Sequence, residues 1–171
     1  MASPDFRVFV LELPYIIGSR SDNVPPWTFI FSMLTGPVAM FFATGGTAAV
    51  TAKQVGQAAI GAIEGDAASG AYALGGVNWT WDEWARRLLA ELGKKRHVFK
   101  LSRGAFVFFG GLSGLGPALL GKERGLAIGR FSYLHDSNAF VEPEQAMRAL
   151  NYGHDDYDAA FKTLVTHWDN S

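Results

Sequence analysis

The chain has 171 residues, 49% hydrophobic and 18% charged, a size that builds one domain and buries about two-thirds of the surface its unfolded form exposes. Its 15 basic and 16 acidic residues form no long run of either sign, which excludes the basic stripe that a phosphate backbone requires, so no nucleic-acid partner is expected. The absence of cysteine excludes disulfides, thiolate catalysis and thiolate metal sites, and with no basic leader before Asp5 the reading is a cytoplasmic protein.

The first predicted element is the run Arg7 to Leu13, almost continuously apolar and β-rich, as in a strand buried on both faces of a parallel sheet. Pro14 ends it. Pro25-Pro26 supplies the fixed φ favoured at a helix start, so 27–35 reads as a short helix stopped by Gly36-Pro37. Val38 to Ala43 and Thr47 to Val50 read as paired strands joined by a tight turn at Thr44-Gly45-Gly46. Thr51-Ala-Lys-Gln54 has the spacing of a capping box, in which a hydroxyl and an amide reciprocally satisfy orphan backbone groups. The helix it opens places Val55, Ala58, Ala59, Ala62 and Ile63 on one stripe and ends at Gly65.

Ala71 to Gly75 reads as another strand, and Thr80-Trp-Asp-Glu83 as a second capping box. The helix that follows has Trp81, Trp84, Ala85, Leu88, Leu89 and Leu92 inside, Arg86, Arg87 and Glu91 outside, and Gly93 at its close. His97 to Leu101 reads as a short strand. Pro143 starts a helix through Leu150 that stops near Gly153, and Tyr157, Phe161, Leu164, Val165 and Trp168 mark a last amphipathic helix. Alternation of this kind predicts a single α/β domain over 1–171, with a few parallel strands, a small paired-strand element and amphipathic helices.

Two apolar stretches bear on a membrane reading. The stretch 27–50 is broken by Gly36-Pro37 and Gly45-Gly46, and 104–121 holds six glycines and a proline, so neither is a clean run of about 20 lipid-compatible residues. Lys100, Arg103, Lys122 and Arg124 flank the second, which keeps a membrane-associated protein as an alternative although no membrane partner is expected. The four histidines, at 97, 135, 154 and 167, lack the close pairing of a metal site, and Asp155 and Asp156 beside His154 read as helix caps and dipole partners. Among the tryptophans, the helical spacing of Trp81 and Trp84 assigns them to a core and leaves Trp79 as a candidate pocket residue.

The run Val-Leu-Glu-Leu-Pro-Tyr-Ile-Ile-Gly at 10–18 is similar to the strand and turn that, in extended short-chain dehydrogenases/reductases, follow the catalytic tyrosine-lysine helix. Thr51 to Gly56, Ala71 to Thr80 and Gln145 to Gly153 resemble later segments of the same family in the same order. The resemblance implies the carboxy-terminal, substrate-binding part of an NAD(P)-dependent epimerase/dehydratase with a Rossmann-type fold. It implies cofactor contact, to NAD or NADP, at Pro14, Tyr15, Ile16 and Ile17. The candidate substrate side is Pro26, Trp27, Thr47 and Trp79. Glu12 where the family usually has arginine, Lys53 and Gln54 where it has carboxylates, and the lack of a basic residue near Thr47 point to an atypical branch.

The chemistry of hydride transfer requires a tyrosine with a lysine four positions later, and none of the five tyrosines has one. Gly110 to Gly116 has the glycine spacing of a short-chain phosphate loop, yet too little chain follows it to build a nucleotide fold. The expectation is therefore a substrate-binding part that needs a separate amino-terminal dinucleotide-binding half as partner, takes a small-molecule substrate, and neither binds cofactor tightly nor catalyses alone. A non-catalytic ligand-binding or dimerisation module on the same scaffold is the alternative, and homo-oligomerisation is left open.

Overall fold

The computed structural model describes residues 6–18, 29–37, 40–102, 104–105, 108 and 137–169. In chain order the elements are β1 (Phe9–Glu12), β2 (Tyr15–Ile17), α1 (Phe29–Thr35), β3 (Met40–Ala43), β4 (Gly46–Thr51), α2 (Ala52–Glu64), β5 (Gly70–Ala73), β6 (Val77–Thr80), α3 (Trp81–Glu91), β7 (Val98–Leu101), β8 (Asn138–Ala139), α4 (Glu144–Ala149) and α5 (Tyr157–Asp169). They fall into two compact units. The first holds 1–28, 47–78 and 140–171, the second 29–46 and 79–139.

In the first unit β1 pairs in parallel with β5, Phe9 opposite Gly70 through Glu12 opposite Ala73. β2 pairs in parallel with β4, Tyr15 opposite Ala49 and Ile17 opposite Thr51. β4 is buried along its whole length, as a central strand covered on both faces must be. Its core joins Val50, Ala58, Ala62, Leu74, Ala146, Leu150 and Tyr152. Gly61 lets α2 pass against the Leu150 carbonyl, where a Cβ would collide, so the end of α4 sits directly on the α2 backbone.

β1 departs from the expected double burial. Phe9 and Leu11 pack toward the core, but Val10 is 53% exposed and Val8 and Leu13 are close to half exposed. Among the described residues β1 has β5 as its one strand neighbour; the opposite edge and one face have no layer against them, and alternation then turns every second side chain to solvent. The α2 stripe is also rotated from expectation: Gln54, Ala58 and Ala62 face inward while Ile63 is 73% exposed. Ala58 and Ala62, four positions apart, share that buried face.

In the second unit α1 and α3 bury Phe31, Leu34, Trp81, Trp84, Ala85, Leu88 and Leu89. β3 pairs in parallel with β7, Met40 opposite Val98 through Ala43 opposite Leu101. The paired strands expected at 38–50 are thus both strands, but with other partners: the Thr44-Gly45 break redirects the chain, and each strand pairs in parallel with one distant in sequence. The Thr80–Glu83 box forms, with the Glu83 carboxylate accepting from the Thr80 N–H at 2.8 Å and its hydroxyl at 2.9 Å, and Gly93 closes α3 at φ +63. In the other unit, Asn151 rather than Gly153 takes the left-handed conformation after α4, φ +51, a role asparagine fills with little strain.

Candidate functional site

β1 ends at Glu12, whose carbonyl accepts the Leu74 N–H at 2.9 Å, and Leu13-Pro14 then carries the chain into β2. The turn therefore lies at the carboxyl end of a parallel strand, where open α/β sheets place their ligands. Pro14, Tyr15 and Ile16 are half-buried and Ile17 is fully buried. Gly18 follows, and a Cβ there would stand 2.7 Å from the Ala52 Cβ. Absence of a side chain at 18 is what lets the end of β2 meet the first residue of α2.

Beneath the turn, the capping box at the α2 start forms. Gln54 N–H donates to Thr51 Oγ1 at 3.1 Å and Thr51 N–H to Gln54 Oε1 at 3.0 Å. Three further bonds tie it to the carboxy-terminal segment. The Thr51 hydroxyl donates to Asp155 Oδ2 at 2.6 Å, Gln54 Nε2 to the Gly153 carbonyl at 2.8 Å, and the Tyr157 hydroxyl to Gln54 Oε1 at 2.8 Å. Lys53 adds an ammonium 3.0 Å from Asp155 Oδ1. The Thr51 hydroxyl first, then the Lys53 contacts, hold the Asp155 carboxyl below the usual carboxylate range against the opposing effect of burial. Of the two aspartates read as caps, Asp156 does accept the Ala159 N–H of the α5 first turn at 3.0 Å, whereas Asp155 belongs to this network.

Burial pushes the Tyr15 phenol above its ordinary value, and burial is likewise the leading cause of the raised values at Tyr152 and Tyr157. A tyrosine that exchanges protons near neutrality needs the opposite shift, which an adjacent lysine supplies. Tyr152 is held instead by Gly75, donating to its carbonyl at 3.0 Å and accepting from its N–H at 3.2 Å.

Of the residues singled out from sequence, Pro14 to Ile17 are contiguous in the first unit, but only Pro14 lies in the turn: Tyr15–Ile17, expected there too, form strand β2, because their backbone pairs with Ala49 to Thr51 of β4. Thr47 lies in the same unit on β4, two residues before the partner of Tyr15; it is buried and its hydroxyl donates to the Ala48 carbonyl at 3.1 Å. Trp79 lies in the second unit, buried, with the Arg87 guanidinium 4.5 Å above its ring. Pro26 and Trp27, the Gly110–Gly116 run and most of the apolar stretch 104–121 lie outside the described residues. Sequence reasoning missed the Thr51–Asp155 bond and the buried Gln54, because partners more than 100 positions apart leave no local pattern. Among the described residues no group of histidine, aspartate and glutamate is arranged to hold a metal ion, and no helix is long and apolar enough to cross a membrane.

Residues 13–18 carry no charged side chain, and Pro14 has no N–H to donate.

No protein-family model and no curated protein sequence matches the chain. Solved structures do. The crystal structure of gox2253 matches with a TM-score of 0.71 and 16% identity over 95% of this chain and 49% of that chain. A nucleoside-diphosphate-sugar epimerase from Pseudomonas aeruginosa matches with a TM-score of 0.68 and 15% identity over 97% of this chain and 49% of its own. The Bordetella bronchiseptica enzyme WbmG, solved with NAD and UDP, matches at 0.64 and 12% over 97% and 46%. The chain thus spans about half the length of the structures it matches. Its fold, mixed α/β with parallel strands and helices, is that of about half of the epimerase structure.

Proposed function

We propose that the chain is the substrate-binding part of an NAD(P)-dependent sugar epimerase, dehydratase or reductase, not competent for catalysis on its own. The observation that supports this most directly is the Leu13-Pro14 junction at the carboxyl end of β1, a strand that among the described residues has one strand neighbour and alternates half-buried with exposed side chains. Parallel sheets are ordinarily covered on both faces, so β1 reads as the border strand of a larger sheet completed by a dinucleotide-binding half.

In that role Pro14, Tyr15 and Ile16 form a dry surface under the nicotinamide, and Ile17 with Gly18 fixes the end of β2 against α2. The nicotinamide supplies hydride transfer when bound. The chain's part is to orient the ring's face, exclude water beside it and present a substrate, for which Thr47 is the candidate contact in the same unit. The sugar class of substrate is argued from the nucleotide-sugar epimerases whose fold this chain shares.

Calorimetric titration of the purified chain with NADH and NADPH tests the reading. With the diphosphate cradle outside this polypeptide, dissociation constants weaker than about 1 mM are expected for both. Micromolar binding of either would overturn it.

A further inference from the structure

The second unit carries a surface that the nicotinamide turn does not use. Along 95–99 exposure alternates: Lys95, His97 and Phe99 are exposed, while Arg96 and Val98 are half-buried. Arg96 turns inward and donates to the Leu34 carbonyl at 2.7 Å. The outward row is therefore Lys95, His97 and Phe99, and the parallel register adds Phe41 beside Phe99. Those two phenyl rings are 5.4 Å apart, with the His97 ring 4.5 Å from Phe99. Phe41 stays 49% exposed and Phe99 42%. α3 holds the opposite face, where Lys100 reaches Asp82 at 2.9 Å.

In the two segments that carry the rings, 92–102 and 40–46, every charged residue is basic. Lys94 and Lys95 are exposed at the entrance to β7. We propose that this outer face of the β3–β7 sheet is a peripheral contact for an anionic lipid bilayer. Phe41 and Phe99 enter the boundary between headgroups and acyl chains, and Lys94 and Lys95 meet lipid phosphates. Single-stranded nucleic acid fits less well, because the Phe99 ring already packs against both Phe41 and His97 and offers little open face for a base. A second copy placed on this face would bring like-charged lysine pairs to one contact. Among the described residues no helix is long and apolar enough to span a bilayer, so the contact is to the surface.

Cosedimentation of the 171-residue chain with vesicles of pure phosphatidylcholine, and of phosphatidylcholine containing phosphatidylserine, tests this. The chain is expected to pellet with the anionic vesicles alone and to be released in about 0.5 M salt, where screening shortens the reach of charge to a few ångströms. Lys94→Glu with Lys95→Glu should lower partitioning by about tenfold or more, and Phe41→Ser with Phe99→Ser should abolish it, both with unchanged far-ultraviolet circular dichroism. Val10→Ser, at an exposed apolar position of the first unit, should leave partitioning as it was. Equal binding to both vesicle types, no binding to either, indifference to both double variants, or an equal loss with Val10→Ser would each overturn the proposal. So would binding of oligothymidylate, or a dimer in sedimentation velocity, that the Phe41→Ser, Phe99→Ser chain loses.

Discussion

The Tyr157 hydroxyl donates to Gln54 Oε1 at 2.8 Å, joining the first residue of α5 to the first turn of α2 across 103 positions of sequence. Gln54 is fully buried, and its side chain also accepts from the Thr51 N–H and donates to the Gly153 carbonyl. A buried amide with these partners contributes stability; one stripped of them would cost more than the bonds had contributed.

Gly76 borders this pair. A Cβ at position 76 would collide with the Tyr157 hydroxyl and stand 2.8 Å from Gln54 Oε1. Gly76→Ala is expected to cost about 1–3 kcal/mol in urea unfolding, the range for overpacking a fitted interior, and Tyr157→Phe about 1 kcal/mol from the lost bond. Because the phenol oxygen is the first atom struck, the two losses should be less than additive in the double variant. Additive losses would place the strain elsewhere.

Asp155 sets an acid limit. The Thr51 hydroxyl, and Lys53 after it, hold its folded-state value below the unfolded one, so the folded chain binds fewer protons through this group than the unfolded chain does. Its contribution is complete above about pH 4, the unfolded value, and disappears as pH falls through the folded value. Asp155→Asn should lower stability at neutral pH by about 1 kcal/mol and flatten the decline below about pH 4. Chemical unfolding midpoints measured at pH 3, 4, 5 and 7 check both; an unchanged acid slope would remove Asp155 from the account.

β1 should respond to substitution by alternation. Leu11 packs on the first-unit core and Val10 points to solvent. Leu11→Ala should cost about 2 kcal/mol, a partly buried large-to-small change. Val10→Ser should stay within about 0.5 kcal/mol for the chain alone. Comparable losses at the two positions would mean that the Val10 face is covered in solution.

Local signals were readable wherever a few neighbouring residues settle the matter. Thr51 with Gln54 and Thr80 with Glu83 form the two boxes their spacing implies, and the Trp81, Trp84, Leu88 stripe is inside because a helix turns every 3.6 residues whatever surrounds it. The parallel α/β character followed from the order of elements. The short strands Val77–Thr80 and Asn138–Ala139 were not anticipated, since two to four residues carry too little pattern to separate a strand from a loop.

By itself, the sequence determined the helices, their capping boxes and the longer strands, all consequences of backbone geometry and side-chain size within a few positions, but it took the strand Tyr15–Ile17 for part of a turn. Only the tertiary structure decided which strand pairs with which, that Gln54 rather than Ile63 faces the core, that Asp155 binds Thr51, and that among the described residues β1 has β5 as its one strand neighbour. Those outcomes depend on partners about 10 to 100 positions away, and their free energy exists only once the intervening chain has folded to bring them together.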